Sequence, residues 1–475
     1  MSTLKQRPNL ICIISDTLRA DYMGCYGNKK IHTPNLDAFA AESAVFDCAY
    51  PESLPTIPAR RALHTGRRAF PFRGYKPLRW LTVYQAGWQP MDEDEDTLAE
   101  NLVEAGYYTG FVSDTQPYFS PGMNFTRGFY QWEFVRGQLK DRWRSPASVS
   151  TERLARYGDP EKLRHNSMVL QYLANTAHVH SEEDTTTARV FRWAMEFIDD
   201  NRHVQPFYLL IDCWDPHEAW EAPASYLEMY AKPGYKGRTI LHPIYGPVDE
   251  QMSQEELEHT IANYCGLVTL VDTWFGHFIN KLKRLGLWEN SVVVFLSDHG
   301  TNLADNPERI IGKPHYSLYP GLMHIPLMVH FPDGEGAGCR FDQLVYNVDV
   351  TATLYECAGI DVHSQVQIDG QSLYSLVKYG RWKEREYLTS RFDDTVWCRD
   401  KKWWVIMDVS GKPRAVFNLQ EDPHCQKNVL ESAADVVEKA WKRILDDAGG
   451  SLPVYEKVRR TDALGRLLSR RDESV

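Results

Sequence analysis

The sequence predicts an α/β protein built on a large, mostly parallel sheet with helices on both faces. Three observations carry that expectation. Short apolar, β-branched runs alternate with stretches of helical periodicity along most of the chain. The first run, residues 9–15, reads Asn-Leu-Ile-Cys-Ile-Ile-Ser with no polar alternation, as a strand covered on both faces must. Chemistry-bearing residues then recur just past such runs: Asp16 after the first, Asp215 and His217 after residues 207–211, Asp298 and His299 after residues 292–296. In an open α/β sheet, ligands bind outside the carboxyl ends of the strands, so these distant positions can converge.

The elements follow in order. A short helix is expected over 36–43, and another over 59–65, opened by Pro58 in its first turn and closed by Gly66. Residues 97–105 have helical spacing and lead through Gly106 to a strand at 108–112. A helix at 185–199 precedes the strand 207–211, and a long helix at 254–285 precedes the strand 292–296. A further strand falls at 326–331 and a helix at 350–357. Past Gly370 the texture changes to short antiparallel strands at 386–390, 395–399 and 403–408, with a tight turn at 399–402, and then a helix at 433–446. The expected division is a catalytic α/β domain, 1–368, and a C-terminal α+β subdomain, 369–475, whose tail beyond Pro453 is charged and reads as an arm.

Composition narrows the function classes. The chain has 475 residues and a formal net charge of −11, which argues against nucleic acid or an anionic membrane surface as main partner. Residues 60–76 and 140–164 are locally basic and would suit a small anionic substrate in a cleft. No apolar run is long enough to span a bilayer, and the polar start of the chain lacks a signal-peptide core, so a cytoplasmic location is expected. The nine cysteines are scattered without CxxC spacing, so no disulfide framework is expected. Homo-oligomerisation is left open.

The stretch Thr56-Ile57-Pro58-Ala59-Arg60-Arg61-Ala62-Leu63-His64-Thr65-Gly66-Arg67 carries the most information. Thr56 falls where a helix N-terminus would present backbone N–H groups to an anion, and Arg60 lies within the first turn. Asp16, in Ser15-Asp16-Thr17-Leu18-Arg19, and Asp298-His299-Gly300 end two strands. A carboxylate or imidazole at a strand end, beside a glycine that permits a sharp turn, is a way to build a metal shell. Hard oxygen donors plus one imidazole fit Mn²⁺, Zn²⁺, Mg²⁺ or Ca²⁺, and spacing does not choose among them.

Together these motifs resemble the sulfatase family of the alkaline phosphatase superfamily, whose signature is Cys/Ser-x-Pro-x-Arg followed by Thr-Gly-Arg. The resemblance extends from Asn9 to about Pro423 and takes in Asp272, Gly312-Lys313, residues 324–329, Asp349 and Glu421-Asp422-Pro423. It implies an alkaline phosphatase-like fold and a divalent cation held by Asp16, Asp298 and His299, with Thr56 beside it as nucleophile. By the same resemblance His217, in Asp215-Pro216-His217-Glu218, contacts the transferred group or protonates the leaving oxygen. Lys313 binds the anion with Arg60 in support, and His315 helps it or serves a second ligand site. Tyr118 and Trp214 are expected along the substrate pocket.

The chain departs from the signature in two places. Thr56 replaces the Cys or Ser that the family oxidises to formylglycine, so a covalent Thr ester would have to be cleaved by water. Ser113-Asp114-Thr115 stands where the family carries a Lys-x-His pair, and Thr17 where many members have a second Asp. The expected function is a metal-dependent hydrolase of phosphate, phosphonate or sulfate esters using Thr56, and the two departures favour a phosphorus ester over a sulfate. A true sulfatase and an inactive anion-binding relative remain the alternatives.

Overall fold

The computed structural model describes residues 7–78, 83–164, 166–361 and 367–456. Its centre is an eight-stranded sheet. From edge to edge the strands run Arg340–Phe341, Ala44–Phe46, Leu327–His330, Ser291–Leu296, Asn9–Ser15, Phe207–Cys213, Tyr108–Ser113 and Gln131–Phe134. Asn9–Ser15 lies between Phe207–Cys213 and Ser291–Leu296 and pairs with both in parallel, Ile13 facing Ile211 on one side and Phe295 on the other. Only Leu327–His330 runs against its two neighbours. A mostly parallel sheet is therefore what the structure contains, as its apolar strands require.

The pleat explains how one apolar strand serves two cores. Ile11 and Ile13 point into a core filled by the helices Pro34–Ala41, Thr186–Asp200 and Gln254–Arg284, through Phe39, Phe197, Phe275 and Phe278. Leu10, Cys12 and Ile14 point to the other face, against Leu63, Leu102, Leu354 and Leu373. Three helices open on side-chain caps at the expected places. Thr97 and Ser253 each form a reciprocal capping box with a Glu three residues on, and Thr185 caps through Ala188. Asp272, inside the long helix, closes a different helix start by accepting from the Leu36 amide at 2.7 Å and the Asn35 side chain at 2.9 Å.

A four-stranded antiparallel sheet forms the C-terminal part: Leu388–Phe392, Thr395–Arg399, Trp403–Asp408 and Pro413–Asn418. The fourth strand escapes the sequence reading because Lys412-Pro413-Arg414 lacks a strand's apolar pattern until Ala415. One face is covered by the helix Ala434–Asp447. The other packs Trp397, Trp404 and Phe417 against Tyr50, Leu54, Ala62 and Leu322, which brings this sheet onto the segment leading to Thr56. The Leu54 amide donates to the Arg391 carbonyl at 2.9 Å. The charged tail expected beyond Pro453 lies largely outside the described residues.

Candidate active site

Thr56 opens a helix, Thr56–Thr65, that starts three residues earlier than its sequence pattern suggests. Every residue of this helix is buried, and Thr56 retains 4% exposure. Two side chains from a neighbouring segment fasten its backbone: Asn347 Nδ2 donates to the Ala59 carbonyl at 2.9 Å, and Thr351 Oγ1 to the Leu63 carbonyl at 2.7 Å. Gly66 ends it with φ +70°, where a Cβ would also approach Ile368 Cγ2 to 2.7 Å. That position demands glycine on both counts.

Asp16 and the Asp298-His299 pair leave adjacent parallel strands at the same edge of the sheet, all three with no exposed surface. One ligand atom from each lies within 4.8 Å of the others. Their orientation is built in. Thr17 donates its hydroxyl to Asp16 Oδ1 at 2.6 Å and its amide to Asp298 Oδ1 at 3.1 Å, and His299 N reaches the same Asp298 oxygen at 2.8 Å. Thr17 does this from φ +66°, a strained backbone for a β-branched residue at the strand-end turn. The position that holds an acid in many relatives is thus used here to aim Asp16.

His299 Nδ1 lies 2.9 Å from the Gly300 carbonyl, which fixes its proton there and leaves a lone pair on Nε2. That Nε2 sits 3.3 Å from Asp298 Oδ2, and burial holds the imidazole below its ordinary pKa, hence neutral. His299 Nε2 is buried without a hydrogen-bond partner, while Asp16 Oδ2 faces the Arg60 guanidinium at 3.0 Å. An unpartnered imidazole nitrogen with two buried carboxylates within 4.8 Å fits a divalent cation. Gly300 matters for a different reason from the sharp turn expected. It carries no left-handed φ, but a Cβ there would stand 2.1 Å from the Gly321 carbonyl oxygen.

Arg60 changes the expected picture. Its guanidinium does not stand open beside Thr56 but is enclosed by three fully buried carboxylates. It lies 3.0 Å from Asp16, 2.8 Å from each oxygen of Asp212, and in hydrogen-bond contact with Asp298. Burial pulls against the charge, yet the three carboxylates outweigh it and hold the guanidinium well above its usual pKa. Its Nη1 also reaches the Thr56 carbonyl at 3.4 Å, tying the first turn of the helix to the carboxylate edge.

Asp212 is a residue sequence reasoning missed. It ends an apolar strand that the pattern closes at Ile211, and a carboxylate inside such a run was the available signal. Tyr118 donates to Asp212 Oδ2 at 2.6 Å and Thr115 to Oδ1 at 3.1 Å. Tyr118, placed by sequence along the substrate pocket, is 2% exposed and faces Asp212.

The second group lies on the loop after Phe207–Cys213. The His217 ring rests on Trp214, centroids 4.0 Å apart, and the Trp214 indole donates to the Glu218 carbonyl at 2.9 Å, so Trp214 positions this loop. His217 Nδ1 is 2.6 Å from the Glu218 carbonyl and 3.0 Å from Glu218 Oε2, which fixes the ring through that nitrogen. Lys313, which sequence reading assigned to an anion, is ion-paired to Glu218 and lies 5.3 Å from the centre of the Tyr245 ring. Gly312, at φ +79°, clears space for that ring. His315 is half-buried and pairs with Asp394 at 2.6 Å, in a cluster with Asp393.

A buried sheet edge with a three-residue candidate metal shell, tied through Arg60 to the start of the helix Thr56–Thr65, is the arrangement of an ester hydrolase site. The sequence comparisons agree. A sulfatase family model matches residues 8–360, and a second model, N-sulphoglucosamine sulphohydrolase, C-terminal, matches residues 315–448. The chain belongs to the sulfatase family, a family of ester hydrolases in the alkaline phosphatase superfamily.

Among its relatives, an arylsulfatase of Clostridium perfringens is 24% identical, covering 90% of this chain and 91% of its own. The multifunctional alkaline phosphatase superfamily protein PehA of Trinickia caryophylli is also 24% identical, over 94% and 97%. The crystal structure of a phosphonate monoester hydrolase of Agrobacterium radiobacter shares the fold, with a TM-score of 0.72 at 20% identity and coverage of 93% and 95%.

Proposed function

We propose that the protein hydrolyses phosphodiesters or phosphonate monoesters through a covalent ester on Thr56. The observation that carries this reading is a complete, oriented donor set, Asp16, Asp298 and His299, next to a helix whose first residue offers a hydroxyl and no oxidisable Cys or Ser. When bound, a divalent cation supplies Lewis acidity: it lowers the pKa of a neighbouring hydroxyl and polarises a non-bridging ester oxygen.

The chain's own residues do the rest. Thr56 Oγ gives up its proton to solvent and attacks phosphorus while the bond to the leaving oxygen breaks on the opposite side, the departing oxyanion taking a proton from solvent. His217, held with its proton on Nδ1, presents Nε2 to the ester, and Lys313 places an ammonium beside the transferred group. Water then cleaves the Thr56 ester and restores the hydroxyl. Arg60 neutralises the carboxylates that converge on the shell and keeps the nucleophile's turn in register with it.

A second reading, hydrolysis of sulfate esters, is favoured by the C-terminal match to N-sulphoglucosamine sulphohydrolase and by the names of the relatives. Threonine argues against it, because no aldehyde hydrate is available to expel sulfate from a sulfo-Thr56. Hydrolysis of methyl 4-nitrophenyl phosphate, 4-nitrophenyl phenylphosphonate and 4-nitrophenyl sulfate decides between the readings, since all share one leaving group. The expected result is a higher kcat/KM for a phosphorus ester, abolished by chelation and restored by added Mn²⁺ or Zn²⁺. A clear preference for the sulfate would establish the second reading.

A further inference from the structure

Glu218 has no exposed surface, yet it lies between two groups assigned to substrate. Its carboxylate contacts Lys313 Nζ and stands 3.0 Å from His217 Nδ1. A buried carboxylate in that position is costly unless it is paired, and here the pair is the ammonium that would otherwise meet the substrate anion. The surrounding side chains close the account of charge. Tyr245 and His242 stack on one another with centroids 5.2 Å apart, and Tyr245 lies against Lys313. Burial pushes the Tyr245 phenol above its usual range and Glu218 adds to that, while burial brings His242 down to about 4. Both are therefore neutral. Burial and then Lys313 lower the pKa of Lys140, so this nearby amine is a weaker counter-charge than a surface lysine.

Around the metal-type shell, three carboxylates and Arg60 carry a net charge of −2, which one divalent cation would balance. Lys313 and Glu218 cancel. Asp114 and Asp215, also buried behind the loop that carries Glu218, are held by neutral donors: Asp114 by the Gln138 side chain and the Trp214 amide, Asp215 by the Thr187 hydroxyl.

We propose that Glu218 is a positioning residue that sets the charge the pocket accepts: by neutralising Lys313 it makes the enzyme select esters whose transferred group carries one negative charge over those carrying two. This rests on the ester-hydrolase reading above. A dianionic phosphate monoester brings one more negative charge than a diester, a phosphonate monoester or a sulfate ester, and with Lys313 already paired to Glu218 that extra charge meets no free Lys313 ammonium. Removing the Glu218 charge frees Lys313 and admits the second negative charge.

The test compares wild type with Glu218→Gln on three esters of one leaving group at about pH 8, where a phosphate monoester is dianionic. In the variant, kcat/KM for 4-nitrophenyl phosphate relative to methyl 4-nitrophenyl phosphate should rise about tenfold or more. The ratio of 4-nitrophenyl sulfate to the methyl diester, both monoanions, should stay within about threefold, since their charges match. Calorimetry with inorganic phosphate on the metal-loaded protein should show binding tighter by about tenfold, a gain lost in the double variant Glu218→Gln, Lys313→Gln. Glu218→Asp, with its shorter reach, should move both readouts the same way by less.

An unchanged monoester-to-diester ratio with unchanged phosphate affinity overturns the proposal. If no ester is cleaved by wild type but phosphate binding tightens in the variant, the ester-hydrolase reading fails and the assignment of Glu218 stands. Hydrolysis with an unmoved ratio is the reverse.

Discussion

Asp212 holds no reacting atom in this account, yet it governs what Arg60 does. Both of its oxygens bind the guanidinium at 2.8 Å, and Tyr118 and Thr115 hold those oxygens in place. Without the Asp212 charge, Arg60 would lean on Asp16 and Asp298, the two carboxylates a cation needs. Asp212→Asn is therefore expected to weaken divalent-metal binding by about 10- to 100-fold, the usual effect of losing a partner that orients a metal shell. Competition against a chelator measures it, and unchanged affinity would contradict the role. At this scale the sequence was informative where a motif stood at a strand end. Asp16, Asp298 and His299 were legible and their ligand atoms lie within 4.8 Å of one another, while Thr56 is linked to them through Arg60. Asp212 and Glu218 were not, because each acts through a partner distant in sequence: Arg60 is 152 positions from Asp212 and Lys313 is 95 from Glu218. No local pattern reports a pairing of that kind.

The helix Thr56–Thr65 is the element on which the site depends. Its N-terminus offers Thr56, its first turn sends Arg60 into the carboxylates, and its end is fixed by Gly66 in the left-handed region with the Gly66 amide on the Ala62 carbonyl at 2.9 Å. Gly66→Ala would pay the left-handed penalty and crowd Ile368. A loss of about 1–2 kcal/mol is expected from the backbone alone, read from urea unfolding. A variant as stable as wild type would show that the helix end relaxes freely. Boundaries of other elements were legible to within about two residues wherever periodicity and caps agreed, as with Leu98–Glu104 after Thr97 and Thr186–Asp200 after Thr185. The early start at Thr56 was hidden because Pro55 caps it without a side-chain hydrogen bond. The strand Pro413–Asn418 was hidden because tertiary packing against Trp404, not its own composition, makes it a strand.

On the scale of the molecule, the sheet does what separates this fold from a simple assembly of motifs. Its parallel order places Asn9–Ser15 between Phe207–Cys213 and Ser291–Leu296, so that Asp16, Asp212 and Asp298 arrive side by side although 282 positions part the first from the last. The C-terminal sheet then packs against the approach to Thr56 through Leu54 and Arg391, which couples its stability to the geometry of that helix start. The central claim is that Thr56 is the attacking residue of a metal-dependent ester hydrolase. The most direct measurement is turnover by Thr56→Ala alongside its bound-metal content, on the best substrate of the matched series. The account predicts a fall in kcat of about a thousandfold or more with metal content unchanged, and partial activity in Thr56→Ser, because only the attacking oxygen has been removed. Turnover by Thr56→Ala near that of wild type, with the metal in place, would contradict it.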